Sequence, residues 1–343
     1  MVKKKELLIE ITNKCPLNCV FCSSHSNLRK NSFINKKTIK KILLDAKRLR
    51  IEKIQLSGGE PFQHPDIDEL IGFILDKNFE LEIYTCGSVF SNGNYQSIPE
   101  DILNKYRNSP NLTLRFNFQT IDKEVYGLLT QSNFALENVI NSIKSVEKFK
   151  IKTEVHIIPT NLNISQLDET IDFLLNELKV THIKILRLIF HGRAKEHSKD
   201  LIFDEKALYQ NILRLKQKYS NNKVEIGTAF SILSNSCIDC QAIISKYMIT
   251  TDLKLFPCTA FKNRTNCYVK IDKQNSLKKI ISHKRINRKI QRFNENLDCS
   301  YCLNSIDCVE ICPIQKLICK NIIKRDLTNH LFQSKVVQLN KEV

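Results

Sequence analysis

Six short β-branched runs alternate with amphipathic stretches through the first part of the chain, and this alternation constrains the fold more than any other feature. The strand-like runs are Glu6–Thr12, Lys53–Ser57, Glu80–Thr85, Asn111–Phe118, Lys152–Ile158 and His182–Leu188. Between them, Lys37–Arg50, Asp66–Lys77, Pro99–Arg107, Leu136–Phe149 and Gln166–Leu178 space their apolar residues near i, i+3 and i+4, the period of a helix with one buried face. Pro99 and Asp66 suit helix starts. Strands separated by such helices pair in parallel through right-handed crossovers. Six units fall short of the eight that close a full barrel. The expected fold class is therefore α/β, a partial (β/α)6 TIM-like barrel with catalytic residues at the C-terminal ends of its strands. Beyond Leu188 the alternation stops. His191-Gly192-Arg193 reads as a loop, Asp204–Tyr219 as a helix, and a small cysteine-rich C-terminal domain follows.

The 343 residues, 42% hydrophobic and 26% charged, suit one large globular domain and a smaller one. No apolar stretch approaches the roughly 20 residues that cross a membrane. The basic start, MVKKKELLIEI, leads straight into a strand pattern rather than a signal peptide, so a cytoplasmic location without membrane contact is expected. A net charge of +17 admits a nucleic-acid partner. The lysines are scattered, however, as Lys40, Lys41, Lys47, Lys144, Lys148 and Lys216 illustrate, and solvated helix faces are the simpler account. An acidic peptide or protein partner is also permitted.

Thirteen cysteines, an odd number without a secretion signal, favour metal ligation over disulfides. Cys15, Cys19 and Cys22 follow the first strand directly. Three thiolates in one loop can hold a four-iron cluster and leave one iron without a protein ligand. That vacancy can chelate the amino and carboxylate groups of S-adenosylmethionine, whose sulfonium is then cleaved by one-electron reduction to a 5′-deoxyadenosyl radical. A zinc site or a chance trio of buried cysteines is the competing account, but zinc sites usually take four ligands in paired spacings. The spacing, with the aromatic Phe21 before the last cysteine, resembles the signature of the radical S-adenosylmethionine (SAM) superfamily. In Ser57-Gly58-Gly59-Glu60-Pro61, at the end of the second strand, two glycines permit close backbone approach, and Glu60 suits a cationic amine. The resemblance implies that this segment meets the methionyl amino group. It also implies cofactor contacts at Thr85, at Asn117 and Gln119, and from Leu188 against the adenine. The family often carries Ser and Asp at the polar ones of these positions.

The remaining cysteines are mostly C-terminal: Cys237-x2-Cys240, Cys258 after Pro257, Cys299-x2-Cys302-x5-Cys308-x3-Cys312, and Cys319. Eight cysteines suffice for two four-iron clusters, although an isolated Cys-x2-Cys pair would read as a zinc ribbon. The string resembles the SPASM extension of radical SAM enzymes. This resemblance implies an inner auxiliary cluster on Cys237, Cys240, Cys258 and Cys312, and an outer one on Cys299, Cys302, Cys308 and Cys319. With the first, that makes three [4Fe-4S] clusters plus S-adenosyl-L-methionine. Leu253 departs from the glycine usual five residues before Cys258, so the turn there is expected to be built differently. The expected domains are a radical SAM partial barrel over 1–200, a bridge over 201–235, a SPASM domain over 236–327 and a tail over 328–343. Electron transfer, or a purely structural role, is open for the auxiliary clusters, and a ferredoxin- or flavodoxin-like donor is implied.

Cys86 and Cys267 lie outside these ligand sets. Cys86, at the catalytic end of the third strand, is either a hydrogen-atom donor or a small buried hydrophobe. His191 and Arg193 are either site residues or part of a solvated loop. Thr259 stands where sulfatase-maturating relatives place an aspartate, which counts against that activity. Family resemblance gives the expected function, hydrogen abstraction from a peptide or protein substrate in peptide maturation, with crosslink, epimerisation or oxidation as outcomes. Because the chain starts almost at the first strand, a separate protein is expected to deliver the peptide. The alternatives are a radical dehydrogenase or rearranging enzyme for a small metabolite, such as a sugar or cofactor precursor, and a non-catalytic zinc- or nucleic-acid-binding module.

Overall fold

The computed structural model describes residues 4–188, 191–201, 205–219, 224–226, 245–262 and 268–282. In chain order its principal elements are β1 (Glu6–Thr12), α1 (Lys36–Arg48), β2 (Lys53–Gly58), α2 (Ile67–Asp76), β3 (Glu80–Thr85), β4 (Val89–Ser91), β5 (Asn94–Gln96), α3 (Glu100–Lys105), β6 (Leu112–Asn117), α4 (Lys123–Thr130), α5 (Ala135–Lys148), β7 (Lys152–Ile157), α6 (Leu167–Asn176) and β8 (Ile183–Ile185). These are followed by α7 (Arg193–Glu196), α8 (Ser198–Leu201), α9 (Glu205–Lys218), β9 (Val224–Ile226), β10 (Lys246–Ile249), β11 (Lys254–Phe256), β12 (Val269–Lys270) and α10 (Leu277–Ser282).

One sheet runs β12-β11-β10-β1-β2-β3-β6-β7-β8-β9. From β10 to β9 every neighbouring pair is parallel, and β11 and β12 close one edge antiparallel. All six expected strands are present and mutually parallel. The expected count of six is nevertheless exceeded: β9 adds a parallel strand beside β8, and β10 adds another beside β1. Both additions are short runs, which gain their place from a neighbour in the sheet rather than from a period of their own. β8 ends at Ile185, three residues before the expected Leu188. Leu188 leaves the sheet to pack with Val20, Leu129, Ala194 and Leu201 in a second apolar cluster.

The two faces of the sheet differ. Alternate residues, among them Leu7, Ile9, Ile54, Leu56, Ile83, Leu114, Val155 and Ile183, are fully buried in one core with the apolar faces of α1, α2, α5 and α6. The intervening residues carry a polar ladder. Gln55 donates to Glu82 at 2.7 Å, and Arg115 donates to Glu82 at 2.9 Å and to the Tyr84 hydroxyl at 2.6 Å. Arg115 is also ion-paired with Glu154 at 3.1 Å. Burial opposes ionisation of Glu154, but His156, Arg115 and Lys184 outweigh it and hold the carboxyl at about 2. Among the described residues no helix is long and apolar enough to cross a membrane.

Candidate active site

The loop after β1 is fastened from four sides. Cys15 N–H donates to Asn27 O at 3.2 Å; Asn18 and Val20 donate to Thr130 O and Leu129 O, at the end of α4, at 3.1 and 2.9 Å. From β2, Gly59 N–H reaches Thr12 O at 2.7 Å and Glu60 N–H reaches Lys14 O at 2.8 Å. A Cβ on Gly58 would lie 2.1 Å from Thr12 O, and one on Gly59 would lie 2.1 Å from Lys14 O. The close approach that these glycines permit is thus to the cysteine loop itself. The fourth fastening comes from α7. Arg193 is buried and donates through Nε to Cys19 O at 2.8 Å and through Nη2 to Ser26 O at 2.7 Å. The expected loop at 191–193 is therefore corrected. Arg193 opens a short helix, and contact with the cysteine-loop carbonyls, rather than with solvent, orders it.

Cys15, Cys19 and Cys22 are not in disulfides. Burial pushes the Cys19 thiol well up, Cys15 and Cys22 add to this, and Arg193 pulls the other way, so the three sulfurs share one electrostatic neighbourhood. Yet among the described residues no three His, Cys, Asp or Glu side chains converge as a single-ion site. Three thiols from one short loop are the donor set that a four-iron cluster takes.

Glu60 is fully buried. Its carboxylate accepts from the Thr85 hydroxyl at 2.9 Å, from Cys86 N–H at 2.7 Å and from Phe62 N–H at 3.1 Å. Burial raises it to about 7, with these donors opposing. Thr85 is engaged in turn by Gly87 N–H at 2.9 Å. Glu60 and Thr85 thus knot the ends of β2 and β3 together. Cys86 is half-buried, and its thiol donates to Ser88 O at 3.3 Å. Burial, then Cys15 and Glu60, push the Cys86 thiol well up.

Asn117 is half-buried at the end of β6. Gln119 is buried: its Oε1 accepts Ile158 N–H at 2.8 Å, which fixes the amide orientation, and its Nε2 has no partner. Phe21 and Leu188 meet in the second apolar cluster. Two features lacked any signal in the sequence. Tyr126, on the unexpected helix α4, is buried; burial raises its phenol, and Cys86, Cys19 and Cys15 add to the shift. Lys262, four residues after Cys258, is buried and ion-paired with Glu10, and it also bonds Ser24 beside the cysteine loop. Cys258 is half-buried. Cys237, Cys240, Cys267, Cys299, Cys302, Cys308, Cys312 and Cys319 lie outside the described residues.

A mostly parallel α/β sheet with a three-cysteine loop after its first strand defines a class, and comparison agrees. Residues 9–174 match the family model described as the radical SAM superfamily, and this part of the chain is a radical SAM domain. The family implies one [4Fe-4S] cluster and S-adenosylmethionine. The chain is 25% identical over 264 residues to the probable GTP 3′,8-cyclase of Methanocella arvoryzae, covering 74% of this chain and 80% of that protein. It is 23% identical over 318 residues to the GTP 3′,8-cyclase of Aliarcobacter butzleri, covering 84% and 93%. Among solved structures, Streptococcus suis SuiB bound to precursor peptide SuiA superposes with a TM-score of 0.69 at 19% identity, covering 91% of this chain and 70% of that one. Native anSMEcpe with bound AdoMet gives 0.61 at 14% identity, covering 83% and 82%. At such identities these structures establish the fold alone. The curated relatives overturn the expected peptide or protein substrate and the peptide-modifying activity, because their names describe the cyclisation of GTP. That outcome matches the small-metabolite alternative.

Proposed function

We propose that the chain is a radical SAM enzyme that rearranges or cyclises a small metabolite, with GTP, named in its relatives, as the first candidate substrate. The observation that carries this reading is the three-cysteine loop at the end of β1, held by Gly59, Glu60 and Arg193 against the neighbouring strand ends. When bound, the cluster and S-adenosylmethionine supply one-electron cleavage of the sulfonium. The chain's own residues orient and protect. Cys15, Cys19 and Cys22 would hold three irons. The Gly58–Glu60 turn sets the loop's height above the sheet. Gln119, whose buried Nε2 lacks a partner, is the open donor for a cofactor oxygen. Asn117 stands beside it at the end of β6, and Phe21 and Leu188 give an apolar wall for the adenine.

Glu60 and Thr85 act on the cofactor site indirectly, since their polar atoms already bind each other and the adjacent backbone. Cys86 remains the candidate hydrogen donor: burial beside Glu60 favours its S–H form, the form that gives up a hydrogen atom. In this reading a SPASM domain over 236–327 carries two further clusters on Cys237, Cys240, Cys258, Cys299, Cys302, Cys308, Cys312 and Cys319, fed by a ferredoxin- or flavodoxin-like donor. Three four-iron clusters amount to about twelve irons per chain.

The test is anaerobic incubation with S-adenosylmethionine, reductant and GTP, or a sugar nucleotide in its place, followed by mass spectrometry. Substrate-stimulated 5′-deoxyadenosine with loss of GTP is expected. Stimulation by neither metabolite refutes the small-metabolite reading, and an unchanged rate in Cys86→Ala ends the donor role.

A further inference from the structure

Arg193 lies 174 residues beyond Cys19 yet is built into its loop. Its side chain is 7% exposed. Nε donates to Cys19 O at 2.8 Å, Nη2 to Ser26 O at 2.7 Å, and the backbone N–H to Cys22 O at 3.0 Å. One residue thereby holds carbonyls of two cluster cysteines and of the turn that follows them. Gly192 makes the approach possible: its φ is +58°, and a Cβ there would lie 2.5 Å from Cys22 O. Both side-chain acceptors are neutral carbonyls, so these bonds leave the guanidinium charge uncompensated.

We infer that Arg193 is a positioning residue for the first cluster, clamping the Cys19–Ser26 segment and supplying, out of reach of water, a positive charge that stabilises the cluster's reduced state. This rests on the reading that Cys15, Cys19 and Cys22 hold a four-iron cluster. On reduction the cluster accepts one electron from an external reductant and becomes more negative by one unit. A fixed cation within a poorly solvated site favours the more negative form and raises the potential.

The experiment uses the full-length protein, reconstituted anaerobically with iron and sulfide. The relevant cluster is identified as the one whose electron paramagnetic resonance signal changes on adding S-adenosylmethionine. In Arg193→Met its midpoint potential moves to a more negative value. In Arg193→Lys the potential stays near that of the wild type, but iron passes to a chelator several-fold faster, because one ammonium cannot bridge two carbonyls as the guanidinium fork does. An Arg193→Met protein with an unchanged potential overturns the charge role. Should that variant not load, Arg193→Lys decides alone. Iron release at the wild-type rate overturns the proposal, and a folded protein that cannot retain the cluster is the extreme of the expected loss. Wild-type protein with no signal responsive to S-adenosylmethionine defeats the underlying cluster reading instead.

Discussion

Glu60 accepts the Thr85 hydroxyl at 2.9 Å on each of its two carboxylate oxygens, joining the ends of β2 and β3 directly beneath Cys86. Its carboxyl is raised from 4.5 to about 7, chiefly by burial. A carboxyl raised on folding keeps its proton longer in the folded chain than in the unfolded one. Its contribution to stability is complete below pH 4.5 and is lost as the pH rises towards 7. The loss amounts to roughly 3 kcal/mol. His64 and His156, both lowered mainly by burial, contribute the opposite slope, so the difference between wild type and Glu60→Gln is the quantity to read. Urea midpoints of the cluster-free protein between pH 5 and 8 are expected to show this falling component in the wild type only. Identical pH profiles would remove Glu60 as its source.

Gly59→Ala places a Cβ 2.1 Å from Lys14 O, where backbone rather than a flexible side chain must move. The bonds from Gly59 to Thr12 and from Glu60 to Lys14 are strained together, at a cost of roughly 1–3 kcal/mol. Iron retained after desalting is expected to fall along with thermal stability. Full retention would show that the junction does not hold the cysteine loop.

Arg115→Met leaves Glu82 and Glu154 facing each other without their shared cation on the polar face of the sheet. Removing one partner of a buried ion network costs about 3–5 kcal/mol. Chemical denaturation should show that loss, with Arg115→Lys recovering part of it. A loss below ~1 kcal/mol, the scale of an exposed pair, would mean that water reaches the ladder.

Leu253 stands in the left-handed region at φ 61°, in the turn between β10 and β11, where its N–H donates to Thr250 O at 2.8 Å. Its side chain packs against the main core. Leu253→Ala keeps the backbone strain and loses the packing. Leu253→Gly loses the same packing but relieves about 1 kcal/mol of strain. Glycine is therefore expected to give the more stable variant, the reverse of the usual order within regular elements. A more stable alanine variant would contradict this account of the turn.

Periodicity made the framework legible: all six expected strands and the helices between them appear with shifts of a few residues at their ends. Local signals could not reveal what distant parts of the chain supply. β10 joins the sheet beside β1 across more than two hundred residues, and Arg193 reaches back to Cys19 over 174. The cysteine spacing marked the site, and the Ser-Gly-Gly-Glu-Pro segment marked its neighbour. The sequence pattern did not distinguish a glycine that approaches a ligand from one that approaches the adjacent loop. The turn at Leu253 was expected to be built differently from one with glycine, but its positive φ shows a glycine-like backbone carrying a larger residue. The substrate class was misread because it came from family likeness rather than from any residue, and likeness to the cyclases redirected it.

The central claim is that the loop of Cys15, Cys19 and Cys22 enables reductive cleavage of S-adenosylmethionine. Chromatography of anaerobic reactions with dithionite measures this directly as 5′-deoxyadenosine formed per chain. The wild type should form it only with reductant present, and Cys15→Ala, Cys19→Ala and Cys22→Ala should each form none while remaining folded. Cleavage that survives any of these substitutions, or a fully iron-loaded wild type that never cleaves the cofactor, would contradict the account.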